Sequence, residues 1–234
     1  MGRKMSKILV KLGLFDLTRN IVSKTRSAID NGLFLRYYDN KKRKKFINTT
    51  DPVRYGAIIL ALDRIKSENI GGNIAEAGVW RGDTSKFIHE IMPDKKMYLF
   101  DTFEGFPKEE KMAKGNKDFK NTSENVVLKK LHNSKNVVIR KGYFPKTAVG
   151  LENEKFCFVM LDVDLVKSTL NGLEFFYPKM SKGGYIFIHD CVRNEDNTFR
   201  GRGILETISL FLKNKPEKII EIPDAYHSII IRKI

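Results

Sequence analysis

The sequence predicts an open α/β fold: a mostly parallel sheet of seven strands, helices on both faces, and a basic helical extension ahead of it. Three observations lead there. From Gly71 onward, short apolar runs alternate with amphipathic ones in a strand-then-helix rhythm. The run Phe156 to Asp162 is nearly all apolar, as suits a central parallel strand covered on both faces. Ile74 to Ser85 reads as a buried strand, a glycine turn and a helix start in direct succession.

The totals set the outer limits. The chain has 234 residues, enough for one compact domain with an extension. Its hydrophobic content of 41% is ordinary for a protein that buries a core. The formal net charge of +15 is not ordinary. It points to an acidic partner, such as a nucleic acid, an anionic membrane surface or an acidic substrate, or else to a lysine-rich solvated surface. Two cysteines, Cys157 and Cys191, are too few for a disulfide framework and suit a reducing compartment. No apolar run is long enough to span a bilayer, and the run Ile8 to Val10 is cut by Lys11 before it could serve as a signal core. The expected location is cytoplasmic.

The elements follow in order. Residues 1–50 form a basic extension, with an irregular apolar series from Leu9 to Ile21 that suits an amphipathic helix and a run of five cations, Lys41 to Lys45. A domain of residues 51–234 is expected after it. Asp51-Pro52 is a helix-start signal, and Val53 to Ser67 reads as the helix. Strands are expected at Asn73–Ala77, Lys96–Asp101, Asn136–Arg140, Phe156–Asp162 and Tyr185–His189, the last entered through a Gly183-Gly184 turn. Lys218–Ile222 and Ser228–Ile231 should close the chain as an antiparallel pair. Helices are expected at Thr84–Met92, Ser123–His132, Ser168–Met180 and Gly203–Leu212. Thr102 to about Asn121 is a long loop, of the kind that often serves as a lid or binding loop.

Ligands of such sheets lie at the carboxyl ends of the strands. Acidic side chains recur there in a strongly basic protein: Glu76, Asp101, Asp162, Asp164 and Asp190, joined by His189. The turn Gly78-Val79-Trp80-Arg81-Gly82 leads into Asp83-Thr84-Ser85, residue types that satisfy free N–H groups at a helix start. Asp101 ends the next strand, where a carboxylate can accept both hydroxyls of a ribose. A dinucleotide would call for Gly-x-Gly-x-x-Gly, yet only two glycines are present and Glu76 would repel a pyrophosphate. A Walker-type loop is absent as well. S-adenosylmethionine, with a ribose, an ammonium and a sulfonium but no phosphate, fits better. Asp162, Asp164, His189 and Asp190 form a second constellation that would hold a magnesium-like cation or share a proton.

Four motifs carry a resemblance. Ala-Gly78-Val-Trp-Arg-Gly82, Asp101-Thr-Phe-Glu-Gly-Phe-Pro, Lys-Gly142-Tyr-Phe-Pro-Lys-Thr147 and Leu-Asp162-Val-Asp164-Leu, with Phe-Phe-Tyr-Pro-Lys-Met-Ser-Lys-Gly-Gly after it, are similar to those of the macrocin O-methyltransferase family from about residue 50 onward. The resemblance implies a class I methyltransferase (Rossmann-like) fold, S-adenosylmethionine, and Mg2+-assisted O-methylation of a sugar hydroxyl. It puts Glu76, Gly78, Ser85 and Asp101 at the cofactor, with Val79, Trp80, Gly82, Thr84, Thr102, Gly142 and Phe144 around them. One aspartate of Asp162-x-Asp164 would be the general base and the other a metal ligand, and Asp162 is assigned as base. One departure is visible: where the family often has two adjacent aspartates after the fifth strand, this chain has His189-Asp190. Imidazole prefers transition metals to magnesium. Either the ion is held by Asp162 or Asp164 with Asp190, or the reaction is metal-free with His189 as base.

The expected acceptor is a sugar-containing molecule, anionic if the basic extension contacts it. Peripheral membrane contact through that extension and a homo-oligomeric state are also expected, and a specific nucleic-acid partner is not, because no nucleic-acid module is visible. The competing readings are an RNA methyltransferase, which the charge favours, a non-catalytic basic binding protein on the same fold, and, more distantly, a nicotinamide oxidoreductase.

Overall fold

The computed structural model describes residues 17, 18, 21, 25, 45, 46, 49–191 and 203–234. The expected N-terminal segment Leu9 to Phe15 and the cations Lys41 to Lys44 lie outside the described residues. Backbone contacts divide the chain into two units, residues 1–59 and 60–234.

That helix, α1 (Pro52–Ser67), begins as the sequence predicts. Asp51 stands just before it and accepts the Arg54 N–H through Oδ1 at 3.2 Å, while Pro52 takes the first helical position. Ile58, Ile59, Leu62 and Ile65 are all buried, and their spacing is that of one apolar face of a helix.

The remaining elements build one seven-stranded sheet. In chain order they are β1 (Asn73–Ala77), α2 (Asp83–Ile91), β2 (Met97–Asp101), α3 (Glu124–Lys130), β3 (Val137–Lys141) and β4 (Phe156–Leu161). Then come α4 (Val166–Phe176), β5 (Met180–Ile188), α5 (Ile204–Leu212), β6 (Ile219–Ile222) and β7 (Ser228–Arg232). The strand order is β3-β2-β1-β4-β5-β7-β6. The first five strands are parallel, and β7 runs antiparallel between β5 and β6. The order reverses between β1 and β4, so the crevice for a ligand opens where those two strands end. Every residue of β4 is buried, which requires cover on both faces. Beneath one face, Phe100, Phe144, Phe156 and Phe176 interlock as edge-on and stacked rings 5.1–5.9 Å apart.

Two local expectations are corrected. Gly183-Gly184 does not precede β5 but lies inside it. The register jumps from Phe156↔Met180 to Phe158↔Tyr185, with Gly183 at φ +83°, as a bulge that only a glycine-bearing strand absorbs cheaply. Helix α4 starts two residues early and stops at Phe176, because Pro178 ends the regular hydrogen bonding and the chain finishes in a 3-10 turn, Tyr177–Lys179. Both cysteines are buried and free. Among the described residues, no helix is long and apolar enough to cross a membrane.

Candidate active site

The glycine turn is held open by hydrogen bonds that leave its own side chains little to do. Helix α2 has no side-chain cap; Gly82 takes the N-cap position in the left-handed region at φ +71°. Asp83 instead pairs with Lys130 at 2.5 Å, and the Ser85 hydroxyl donates to Glu76. Glu76 and Ser85 are both within 1% of complete burial, so the strand-end carboxylate and the serine brace the turn from behind. Thr84, 7% exposed, lies in the same first turn.

Asp101 is the second brace. Its Oδ2 accepts the Val79 and Trp80 N–H groups at 2.8 Å each, and its Oδ1 accepts Phe103 N–H at 2.6 Å. One carboxylate thus fixes both the glycine turn and the start of the long loop. Its own carbonyl accepts the Gly142 N–H at 2.8 Å, which brings the loop after β3 alongside. Thr102 caps that long loop's first turn, its hydroxyl donating to the Gly105 carbonyl at 2.5 Å. Phe144, expected at the cofactor, stacks on Phe176 with ring centroids 5.3 Å apart and belongs to the core.

Gly78 is where the two constellations touch. A Cβ on it would lie 1.9 Å from the Asp162 carbonyl oxygen. The turn and the end of β4 are therefore back to back, a closeness that glycine alone permits.

Across that contact, Asp162, His189 and Asp190 converge, each offering a donor atom within 4.8 Å of the others. His189 Nδ1 stands 3.0 Å from Asp162 Oδ1 and 3.3 Å from Asp190 Oδ2. The imidazole is 6% exposed, against 22% and 17% for the two carboxylates, and Tyr226 packs against its ring at 5.4 Å. Neighbouring strands set this geometry: Asp162 N–H donates to Ala77 O at 2.8 Å and His189 N–H to Leu161 O at 2.9 Å. Asp190 adopts φ +56°, a conformation aspartate tolerates better than most residues. Asp164, at φ +59° and 6% exposed, is not part of the three-residue group.

Two sets of contacts that the sequence did not reveal tie the long loop down. Glu110, 5% exposed, accepts the Ser168 hydroxyl at 2.5 Å on the first turn of α4. Beside it, Asn171 donates to the Tyr143 hydroxyl at 3.1 Å, and burial, with Glu110's charge added, raises the Tyr143 phenol above its ordinary pKa. At the far end, the Trp80 indole N–H donates to Asn121 at 2.9 Å, the Thr122 hydroxyl donates to the Trp80 carbonyl, and Phe119 packs edge-on against the indole. Loop length was the only signal of such a role in the sequence.

Comparison with known proteins places this geometry. The macrocin O-methyltransferase (TylF) family model matches residues 52–200. The chain is 26% identical over 171 residues to the 8-demethyl-8-(2,3-dimethoxy-alpha-L-rhamnosyl)-tetracenomycin-C 4'-O-methyltransferase of Streptomyces olivaceus, covering 63% of this chain and 66% of that one. It is 26% identical over 147 residues to the demethyldecarbamoylnovobiocin O-methyltransferase of Streptomyces niveus, covering 55% and 56%. The chain thus spans between half and two thirds of the length of these curated relatives. In three dimensions it resembles the O-methyltransferase NovP, with a TM-score of 0.64 at 19% identity over 93% of this chain and 97% of that one. The O-methyltransferase from Bacillus cereus in complex with SAH aligns with a TM-score of 0.55 at 14% identity, over 90% and 100%. These structural likenesses establish the class I methyltransferase fold. With the family model covering more than half its length, from the helix before β1 past the end of β5, this chain belongs to the macrocin O-methyltransferase family.

Proposed function

We propose that this protein is an S-adenosylmethionine-dependent O-methyltransferase that acts on a hydroxyl of a sugar or glycoconjugate. The observation that carries the reading is the junction at Gly78, where a turn braced by Glu76 and Asp101 abuts the carbonyl of Asp162. A cofactor lying on the turn and an acceptor near Asp162 would then be neighbours. The printed activities of the relatives, O-methylations on rhamnosyl and novobiocin-type compounds, support a sugar acceptor.

The roles follow from chemistry. S-adenosylmethionine supplies a methyl group made electrophilic by its sulfonium. Asp101 would receive the ribose hydroxyls, and Gly78, Val79, Trp80 and Gly82 would line the cofactor with backbone, with Gly142 alongside. Glu76, Ser85 and Thr84 support the turn from within. The acceptor hydroxyl would be the nucleophile toward that methyl group, and its proton would pass to a carboxylate of this chain. Asp162 is proposed as that base. It is the most exposed member of its group, at 22% against 17% for Asp190 and 6% for His189. Asp162, His189 and Asp190 carry nitrogen and oxygen donors close enough to share one divalent cation, which would lower the hydroxyl pKa. The basic extension, residues 1–50, is proposed to meet an anionic acceptor or membrane surface, with residues 51–234 as the catalytic unit.

Asp162→Asn tests the assignment. Transfer from labelled S-adenosylmethionine to a sugar panel, read by mass spectrometry, should fall about 10²–10⁴-fold. Cofactor affinity in calorimetry should hold. Full activity in that variant would remove Asp162 from the base role, and a native protein that binds no S-adenosylmethionine would end the reading.

A further inference from the structure

The cation site has one donor that a magnesium site does not ordinarily include. We infer that Asp162, His189 and Asp190 select a first-row transition cation, in the manganese-to-zinc range, over magnesium, and that His189 Nδ1 is the atom that makes the choice. Its function in acceptor activation rests on the methyltransferase reading; its ion preference does not.

Spacing and donor type both support the inference. Three donors on one face of an octahedron, with bonds of ~2.1 Å, stand ~3.0 Å apart. Nδ1 lies 3.0 Å from Asp162 Oδ1 and 3.3 Å from Asp190 Oδ2. Nδ1 is the ring nitrogen turned toward both carboxylates, so ligation through it puts the ring proton on Nε2. One face of three protein donors leaves the opposite positions to solvent or substrate oxygens, and the two carboxylates are themselves partly exposed.

Donor chemistry then decides the ion. Magnesium takes oxygen ligands and holds its waters tightly. Imidazole binds the later first-row ions far better, and affinity for mixed nitrogen–oxygen sites climbs from manganese toward copper. His189 is also held in place. It is 6% exposed, its backbone N–H donates to the Leu161 carbonyl on the neighbouring strand, and Tyr226 packs on its ring. A buried, oriented imidazole cannot swing aside to leave a purely carboxylate site.

Calorimetric titration of the full chain with Mg2+, Mn2+ and Co2+, in the absence of acceptor, tests this directly. Co2+ should bind at least about tenfold more tightly than Mg2+. The visible Co2+ spectrum should show a nitrogen-containing ligand field. His189→Asp should weaken Co2+ binding about tenfold or more and bring Mg2+ level with it or ahead. Native protein that binds Mg2+ as tightly as Co2+, or binds neither at millimolar levels, overturns the inference, as does a His189→Asp variant with native Co2+ affinity. The native ranking stands even if that variant misfolds. Titrating S-adenosylmethionine into the same samples separates failure of the ion inference from failure of the methyltransferase reading.

Discussion

Replacing Gly78 with alanine should damage catalysis through Asp162 rather than through the cofactor alone. A Cβ there would sit 1.9 Å from the Asp162 carbonyl oxygen and 2.6 Å from its carbonyl carbon. Real Cβ contacts do not fall below 3.0 Å, so one of the two backbones must retreat by about 1 Å. Asp162 is fixed by its N–H bond to Ala77 at 2.8 Å, and that bond stretches if β4 yields. Gly78 also sits at φ +86°, where a side chain adds about 1–2 kcal/mol of strain. A displacement of about 1 Å at a reacting group can cost about 10²-fold in rate. The expected result is a kcat at least about 10²-fold below native, with a melting temperature lowered by several degrees. Gly71→Ala is the control, because nothing lies within 4 Å of its added Cβ and its backbone is ordinary. A Gly78→Ala protein that keeps its kcat within a few-fold would refute the back-to-back geometry.

Two further outcomes follow from other parts of the molecule. Glu217 is buried beneath the chain end; burial alone would raise its pKa, but Lys233 and Tyr177 outweigh that and hold it at about 2, below its ordinary 4.5. The stability this contributes, up to roughly 3 kcal/mol, is complete above about pH 4.5 and is lost as pH falls toward 2. Chemical denaturation of native and Glu217→Gln protein between pH 6 and 2 should show that slope in the native chain only; equal slopes would dismiss the linkage. Glu110→Ala should speed amide exchange across residues 102–123, while Glu110→Gln, whose amide oxygen can still accept from Ser168, should preserve protection. The sole tryptophan, Trp80, should report the same loosening by fluorescence, and unchanged exchange in Glu110→Ala would mean that the loop is held without this bond.

Much of the fold was legible because its signals are local. The apolar run of β4, the Asp51-Pro52 start of α1 and the helical stretch from Ser123, whose hydroxyl accepts the Val126 N–H at 3.3 Å, each depend on residues close in sequence. The starts of β5 and α4 were less so. A glycine pair looks like a turn by itself, and only pairing with β4 turns it into a bulge. In the site, strand ends could be read off, so Asp101, Asp162, His189 and Asp190 emerged together. The stacking of the Phe144 ring on Phe176 was not legible, because it depends on how the elements pack under the sheet.

The sequence by itself determined the alternation of elements, the glycine turn and the set of acids at the strand ends, since periodicity and turn chemistry act over a few residues. Tertiary structure alone decided which side chains meet. Asp101 closes on Val79 and Trp80 more than twenty residues away, and Glu110 reaches Ser168 across 58 positions. Of the four residues read together, Asp190 converges with Asp162 and His189 while Asp164 does not, although both aspartates take left-handed backbones, at φ +56° and +59°. Side-chain direction at such positions follows the pairing of β4 with β1 and β5, and no propensity encodes it.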